Sequence, residues 1–185
     1  MGEVEIGRGK RGREGWALDD VGIVPSRRTR DPEEVSTAWQ IDAYRFETPL
    51  MAAPMDSVVS PSTAVAIGNH GGLPVLDLEG LWTRYDDPDP LLAEIAELDG
   101  TRATSRLQEL YAAPIRDDLI AQRLSQMRDA GITVAGSLSP PRVLALHKAV
   151  LAAGVDILVI RGTTVSAEHV SGQTEPLNLK QFIYE

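Results

Sequence analysis

Gly131-Ile132-Thr133-Val134-Ala135-Gly136-Ser137-Leu138-Ser139-Pro140 and, one helix later, Gly154-Val155-Asp156-Ile157-Leu158-Val159-Ile160 are the stretches that decide the fold of this chain. In each, a glycine closes a helix and an apolar run of strand length follows. Ser139 stands where a helix N-cap belongs, with Pro140 at the first helical position. Val143, Leu144, His147, Val150 and Leu151 then predict a buried helical stripe. Upstream, Ile115, Leu119, Ile120, Leu124 and Met127 fall on one face of a helix that Gly131 ends.

The same grammar extends towards the N-terminus. Pro49 to Met55 is a short apolar run, Ser60-Pro61 opens a helix, and Gly71-Gly72 stops it. Leu73 to Leu78 predicts a second strand, in which Pro74 must sit at the start or where its nitrogen faces no partner. Runs apolar on both faces, alternating with helices, signal a parallel sheet covered by helices. About four strands can be counted, whereas a closed (β/α)8 barrel has eight and typically about 250 residues. An open doubly wound sheet is the runner-up, but no Gly-x-Gly-x-x-Gly follows a strand. Between the second and third strands, Leu91, Leu92, Ile95 and Leu98 predict one amphipathic helix behind Asp89-Pro90. Residues 1–45 read as a flexible tail followed by an irregular segment, and residues 46–185 as the folded part. The basic cluster Arg27 to Arg30 suits a solvated loop or a phosphate or subunit contact.

The 185 residues carry 18 Lys+Arg against 27 Asp+Glu, a formal charge of −9, which disfavours nucleic acid and anionic membranes as partners. The absence of cysteine excludes disulfides, thiolate metal sites and a cysteine nucleophile within this sequence. His70, His147 and His169 have no metal-ligand spacing, so neither a metal site nor a catalytic residue is assigned. No apolar run approaches the roughly 20 residues that span a bilayer, and the N-terminus lacks an apolar signal core. A cytoplasmic location is expected.

Two segments carry information about chemistry. Leu18-Asp19-Asp20-Val21-Gly22-Ile23-Val24-Pro25-Ser26 and Ala53-Pro54-Met55-Asp56-Ser57-Val58 resemble signatures of the IMP dehydrogenase/GMP reductase family, Asp-Asp-Val-x-x-x-Pro and Ala/Ser-x-Met-Asp-Thr/Ser-Val. Gly154 to Ile160 is similar to that family's fourth-strand motif. Leu78-Glu79-Gly80-Leu81-Trp82-Thr83-Arg84-Tyr85 resembles an IMP dehydrogenase-related branch without CBS domains. The resemblance covers residues 16–185 and implies an α/β fold, the N-terminal half (about four βα units) of a TIM (β/α)8 barrel. It also implies a truncated chain, because the family's catalytic cysteine loop, phosphate-binding loops and flap belong to later segments. A helix predicted over 178–185 is cut by the end of the sequence.

The function implied is hydride transfer between the base of a purine nucleotide, IMP or GMP, and NAD or NADP, by way of a cysteine adduct. Ala53 and Met55 match positions that line the family's nucleotide pocket; a small residue admits the ligand to the backbone and a thioether packs on a flat base. Arg161, Gly162 and Thr163 match the stretch that holds the nicotinamide end of the cofactor. The family's acid there is replaced by Arg161, which inverts the local charge. IMP oxidation in guanine nucleotide biosynthesis is the leading expectation, with NADPH-dependent GMP reduction as the rival. The alternative from another class is a silent fragment that binds nucleotide or pairs with another half-barrel. A full-length protein is expected to form homo-oligomers. Asp19 and Asp20 are candidates to cap a turn.

Overall fold

The computed structural model describes residues 3–13, 15–25, 27–162 and 177–184. The chain divides into two compact units, Met1–Ser36 and Thr37–Glu185. In the first, β1 (Glu3–Gly7) and β2 (Lys10–Arg13) form an antiparallel hairpin. The hairpin lies in the stretch expected from sequence to be a tail. Val4 and Ile6 alternate with glutamates, and Gly9 at φ 70° supplies the turn between the strands. Asp20 does cap a turn: its carboxylate accepts the Ala17 N–H at 3.0 Å, beside the 3-10 turn Leu18–Asp20. Arg27 to Arg30 are exposed.

The second unit opens with another hairpin, β3 (Trp39–Ile41) and β4 (Tyr44–Phe46), in a stretch expected to be irregular. Asp42 adopts φ 49° at its turn, a conformation that aspartate tolerates better than most residues. Trp39 and Phe46 pack with ring centroids 4.9 Å apart.

The parallel sheet follows. β5 (Met51–Ala52) pairs with β6 (Leu73–Pro74), and β7 (Leu76–Asp77) pairs with β8 (Ala135–Leu138), which pairs with β9 (Ile157–Ile160). The single strand expected over Leu73–Leu78 thus serves two neighbours in turn, with Pro74 ending the first pairing. Alternation assigns its two faces. Leu76, Leu78, Val134 and Leu138 face the helices, where they pack in the main core with Ala64, Ile120, Leu124, Met127, Val143 and Val150. Leu73, Val75, Ala135, Ile157 and Val159 point the other way and are covered by Phe46, Trp39, Ile41 and Tyr44 of the hairpin. Asp77 and Ser137, paired in register, continue that inner face towards the strands' C-terminal ends. By the same parity, Arg161 follows Val159. A polar layer therefore lies above an apolar one.

The helices obey their local signals, with exceptions. In α1 (Pro61–Asn69) Ser60 forms a capping box with Thr63, as its Ser-Pro start predicts. The long interval holds two helices where one was expected, α2 (Asp89–Ala96) and α3 (Gly100–Tyr111). Asp99 caps α3 by accepting the Arg102 N–H at 3.0 Å; its sparse apolar residues hid it from a periodicity search. Gly131 and Gly154 take φ 73° and 74° after α4 (Asp117–Asp129) and α5 (Pro140–Ala152). The stripe expected on α5 is narrower than predicted: Val143 and Val150 are buried, but Leu144 and Leu151 are exposed. They stand one residue, about 100° of helix rotation, off the buried line. The side chain of Ser139 makes no capping bond. β9, the apolar run after Gly154, is half-buried throughout, and among the described residues it pairs with β8 alone. Asn178 caps α6 (Leu179–Tyr184) through its side chain, which accepts the Gln181 N–H at 3.1 Å.

Candidate active-site face

The C-terminal ends of β5, β7, β8 and β9 share one side of the sheet, where parallel α/β proteins place their ligands. The chain leaving β5 turns sharply there. Met55 donates its N–H to Ala53 O at 2.9 Å, and its own carbonyl accepts the N–H groups of Val58 and Val59. Ala53 and Met55 are both exposed at this turn. From it Asp56 reaches inward, and its Oδ2 accepts the Leu81 N–H at 2.8 Å and the hydroxyl of Tyr111. Burial, first, and the Asp56 carboxylate raise the Tyr111 phenol above its usual pKa, which keeps it a proton donor.

Asp77 sits at the end of β7 with its side chain 8% exposed. Its Oδ1 accepts the Glu79 N–H at 3.0 Å, and its Oδ2 lies 3.0 Å from Arg161 Nη2. Arg161, entering from the end of β9, also donates through Nη1 to Pro54 O at 3.1 Å. One guanidinium thus ties three strand ends together. Burial raises the Asp77 carboxyl above the ordinary range, against the opposing pull of the Glu79 N–H and of Arg161.

The loop after β7 is rigidly held. Thr83 donates to Leu78 O at 2.9 Å, and Arg84 donates from Nε to Glu79 O at 3.0 Å. Buried Arg123 of α4 donates to the carbonyls of Trp82 (3.0 Å) and Asp86 (2.7 Å). The Glu79 carboxylate accepts the Ser139 N–H at the start of α5. That satisfies the helix entry where the serine side chain does not.

These parts border an open cavity of about 280 Å³. Met55, Asp56, Asp77 and Arg161 line its sheet side, and Leu92, Ile95, Leu107 and Tyr111 of α2 and α3 form the opposite wall. A neighbouring hollow of about 430 Å³ is bounded by Ser57, Ser60, Trp82 and Asp89. Among the described residues there is no cluster able to hold a metal ion.

Of the residues expected from sequence, the fold brings Met55 and Arg161 to the same cavity. Ala53 lies at the turn beside it, Gly162 is exposed after β9, and Thr163 and His169 are outside the described residues. Sequence reasoning missed Asp77 and Tyr111. An acid inside the apolar run Leu73–Leu78 was the available signal for Asp77. Nothing local marked Tyr111.

The family model described as the IMP dehydrogenase / GMP reductase domain matches residues 15–178. An uncharacterized oxidoreductase of Mycolicibacterium smegmatis is 48% identical over 187 residues, covering 98% of this chain and 50% of that protein. An uncharacterized oxidoreductase of Mycobacterium tuberculosis H37Rv matches to the same extent, also at 48%. The crystal structure of an IMP dehydrogenase/GMP reductase-like protein from Corynebacterium glutamicum superposes with a TM-score of 0.86 at 45% identity. It is matched over 98% of this chain and 49% of its own. The chain spans about half the length of the curated relatives it matches.

Proposed function

The chain belongs to the IMP dehydrogenase / GMP reductase domain family, and on that premise we propose that it forms the nucleotide-binding side of an oxidoreductase barrel acting on a purine nucleotide. The observation that carries this reading is the cavity at the C-terminal strand ends, where Met55 and the Asp77–Arg161 pair converge. Ala53 admits the nucleotide to the backbone, and Met55 packs its thioether against the base. IMP is the substrate we place first. GMP is the second reading, favoured by Arg161 standing where the family carries an acid. We place the protein in the cytoplasm as a homo-oligomer; among the described residues no helix is long and apolar enough to cross a membrane.

Chemistry in this family needs NAD or NADP, and the described residues at the end of β9 do not by themselves fit such a cofactor. The Arg161 guanidinium is committed to Asp77 and Pro54, and recruiting it to a phosphate would leave a mostly buried carboxylate unpaired. Arg161 and Gly162 are therefore rim residues, Arg161 positioning the strand ends. The chain contains no cysteine, so a cysteine adduct at the purine is not formed by its own residues.

Joining this chain to the C-terminal half of the Corynebacterium glutamicum relative tests the reading. The folded chimaera is expected to turn over IMP with NAD or GMP with NADPH. A chimaera that unfolds cooperatively yet is inert with both pairs refutes it.

A further inference from the structure

We propose that Tyr111 is a specificity-determining residue, the outer wall against which the cavity receives the uncharged heteroaromatic ring of its ligand; this rests on the purine-nucleotide reading above. Tyr111 is the last residue of α3, far in sequence from every strand end, yet its hydroxyl is bound by Asp56 on the β5 exit turn. The Arg84 guanidinium lies 5.3 Å from its ring centroid, and Arg84 is itself tied to the Glu79 carbonyl. Hydroxyl and ring are thus held at separate points, which fixes the ring's position before any ligand arrives. Tyr111 is 37% exposed and shares the cavity with Met55 and Leu107.

The charges decide which part of a nucleotide fits. Among the described residues that line the cavity Arg161 is the cation, and Asp77 and Pro54 already occupy it. The other charged lining groups are the carboxylates Asp56 and Asp77, which repel a phosphate. Against these stand a thioether, an aromatic ring and three aliphatic side chains, a lining suited to a flat neutral ring with a polar edge. The phosphate of the same ligand must point away from α3.

Methyl-labelled methionine NMR on the 185-residue chain tests this. Of its four methionines, Met55 lies in the cavity and Met127 is fully buried in the core, a control for folding. Inosine, IMP, GMP and ribose 5-phosphate are titrated in turn. Inosine and IMP are expected to move the Met55 signal with similar midpoints and ribose 5-phosphate to leave it in place. Tyr111→Leu should weaken inosine binding about tenfold, and Tyr111→Phe, which keeps the ring, less than about threefold. Met127 stays unshifted in both. Should Tyr111→Leu lose the Met127 signal, Tyr111→Gln carries the same expectation. A folded Tyr111→Leu or Tyr111→Gln that binds inosine like the wild type overturns the proposal, as does ribose 5-phosphate moving Met55 as strongly as inosine. If neither inosine, IMP nor GMP moves Met55 in the wild type, the purine reading itself fails and takes this inference with it.

Discussion

Gly80→Ala would place a methyl group where the Asp56 carboxylate already lies. An ideal Cβ at Gly80 stands 2.0 Å from Asp56 Oδ1 and 2.8 Å from its Cγ. The backbone there, φ −77° and ψ −171°, suits alanine as well as glycine, so the penalty is one of contact alone. Asp56 cannot retreat without releasing the Leu81 N–H, held at 2.8 Å, and the Tyr111 hydroxyl. A buried N–H left unpaired costs about 1–3 kcal/mol, and overpacking costs a similar amount. The stiffer unfolded chain returns only about 0.4–1 kcal/mol. A net destabilisation of about 2–5 kcal/mol remains, which moves a urea midpoint down by about 1–2 M. In an Asp56→Ala background the methyl group finds room, and the same change should cost about 1–3 kcal/mol less. Urea unfolding of the four proteins of this double-mutant cycle, at constant m, measures the coupling. Costs that add to within about 0.5 kcal/mol would refute the contact as the cause.

Further outcomes are expected elsewhere in the molecule. Leu124→Ala, in the fully buried core between α4 and the sheet, should cost about 2–5 kcal/mol by chemical denaturation. Arg123→Met keeps the buried stem but strips the donors from the Trp82 and Asp86 carbonyls; a loss of about 2–4 kcal/mol is expected, and a neutral result would show those bonds to be dispensable. Because burial raises the folded-state pKa of Asp77, its ionisation works against folding. Wild-type stability should therefore fall, relative to Asp77→Asn, as pH rises through that raised pKa; denaturation at several pH values reads the slope, and a difference of opposite sign refutes it. The purified 185-residue chain should show no turnover of IMP with NAD or of GMP with NADPH, and it should self-associate through the outer edges of β5 and β9, each paired on one side only among the described residues. Enzyme-dependent turnover, or a monodisperse monomer on size exclusion, would contradict these two expectations in turn.

What the sequence by itself determined is the local grammar. Ser60-Pro61 starts α1, Gly131 and Gly154 end their helices in the left-handed region, and the apolar runs between them become parallel strands. These features depend on φ, ψ and side-chain period within a few residues, so they are written where they act. The ordered motifs around Asp19 and Met55 likewise carry the family resemblance within the sequence. Only the tertiary structure decided the rest. It divided Leu73–Leu78 between two partner strands, turned residues 39–46 into a hairpin over the inner face, and, among the described residues, left β9 paired on one side only. It also paired Arg161, which reads as a cofactor contact in sequence, with an acid 84 residues away, and brought Tyr111 to Asp56 across 55. Such pairings follow from which strand lies beside which, and no short window of sequence contains that information.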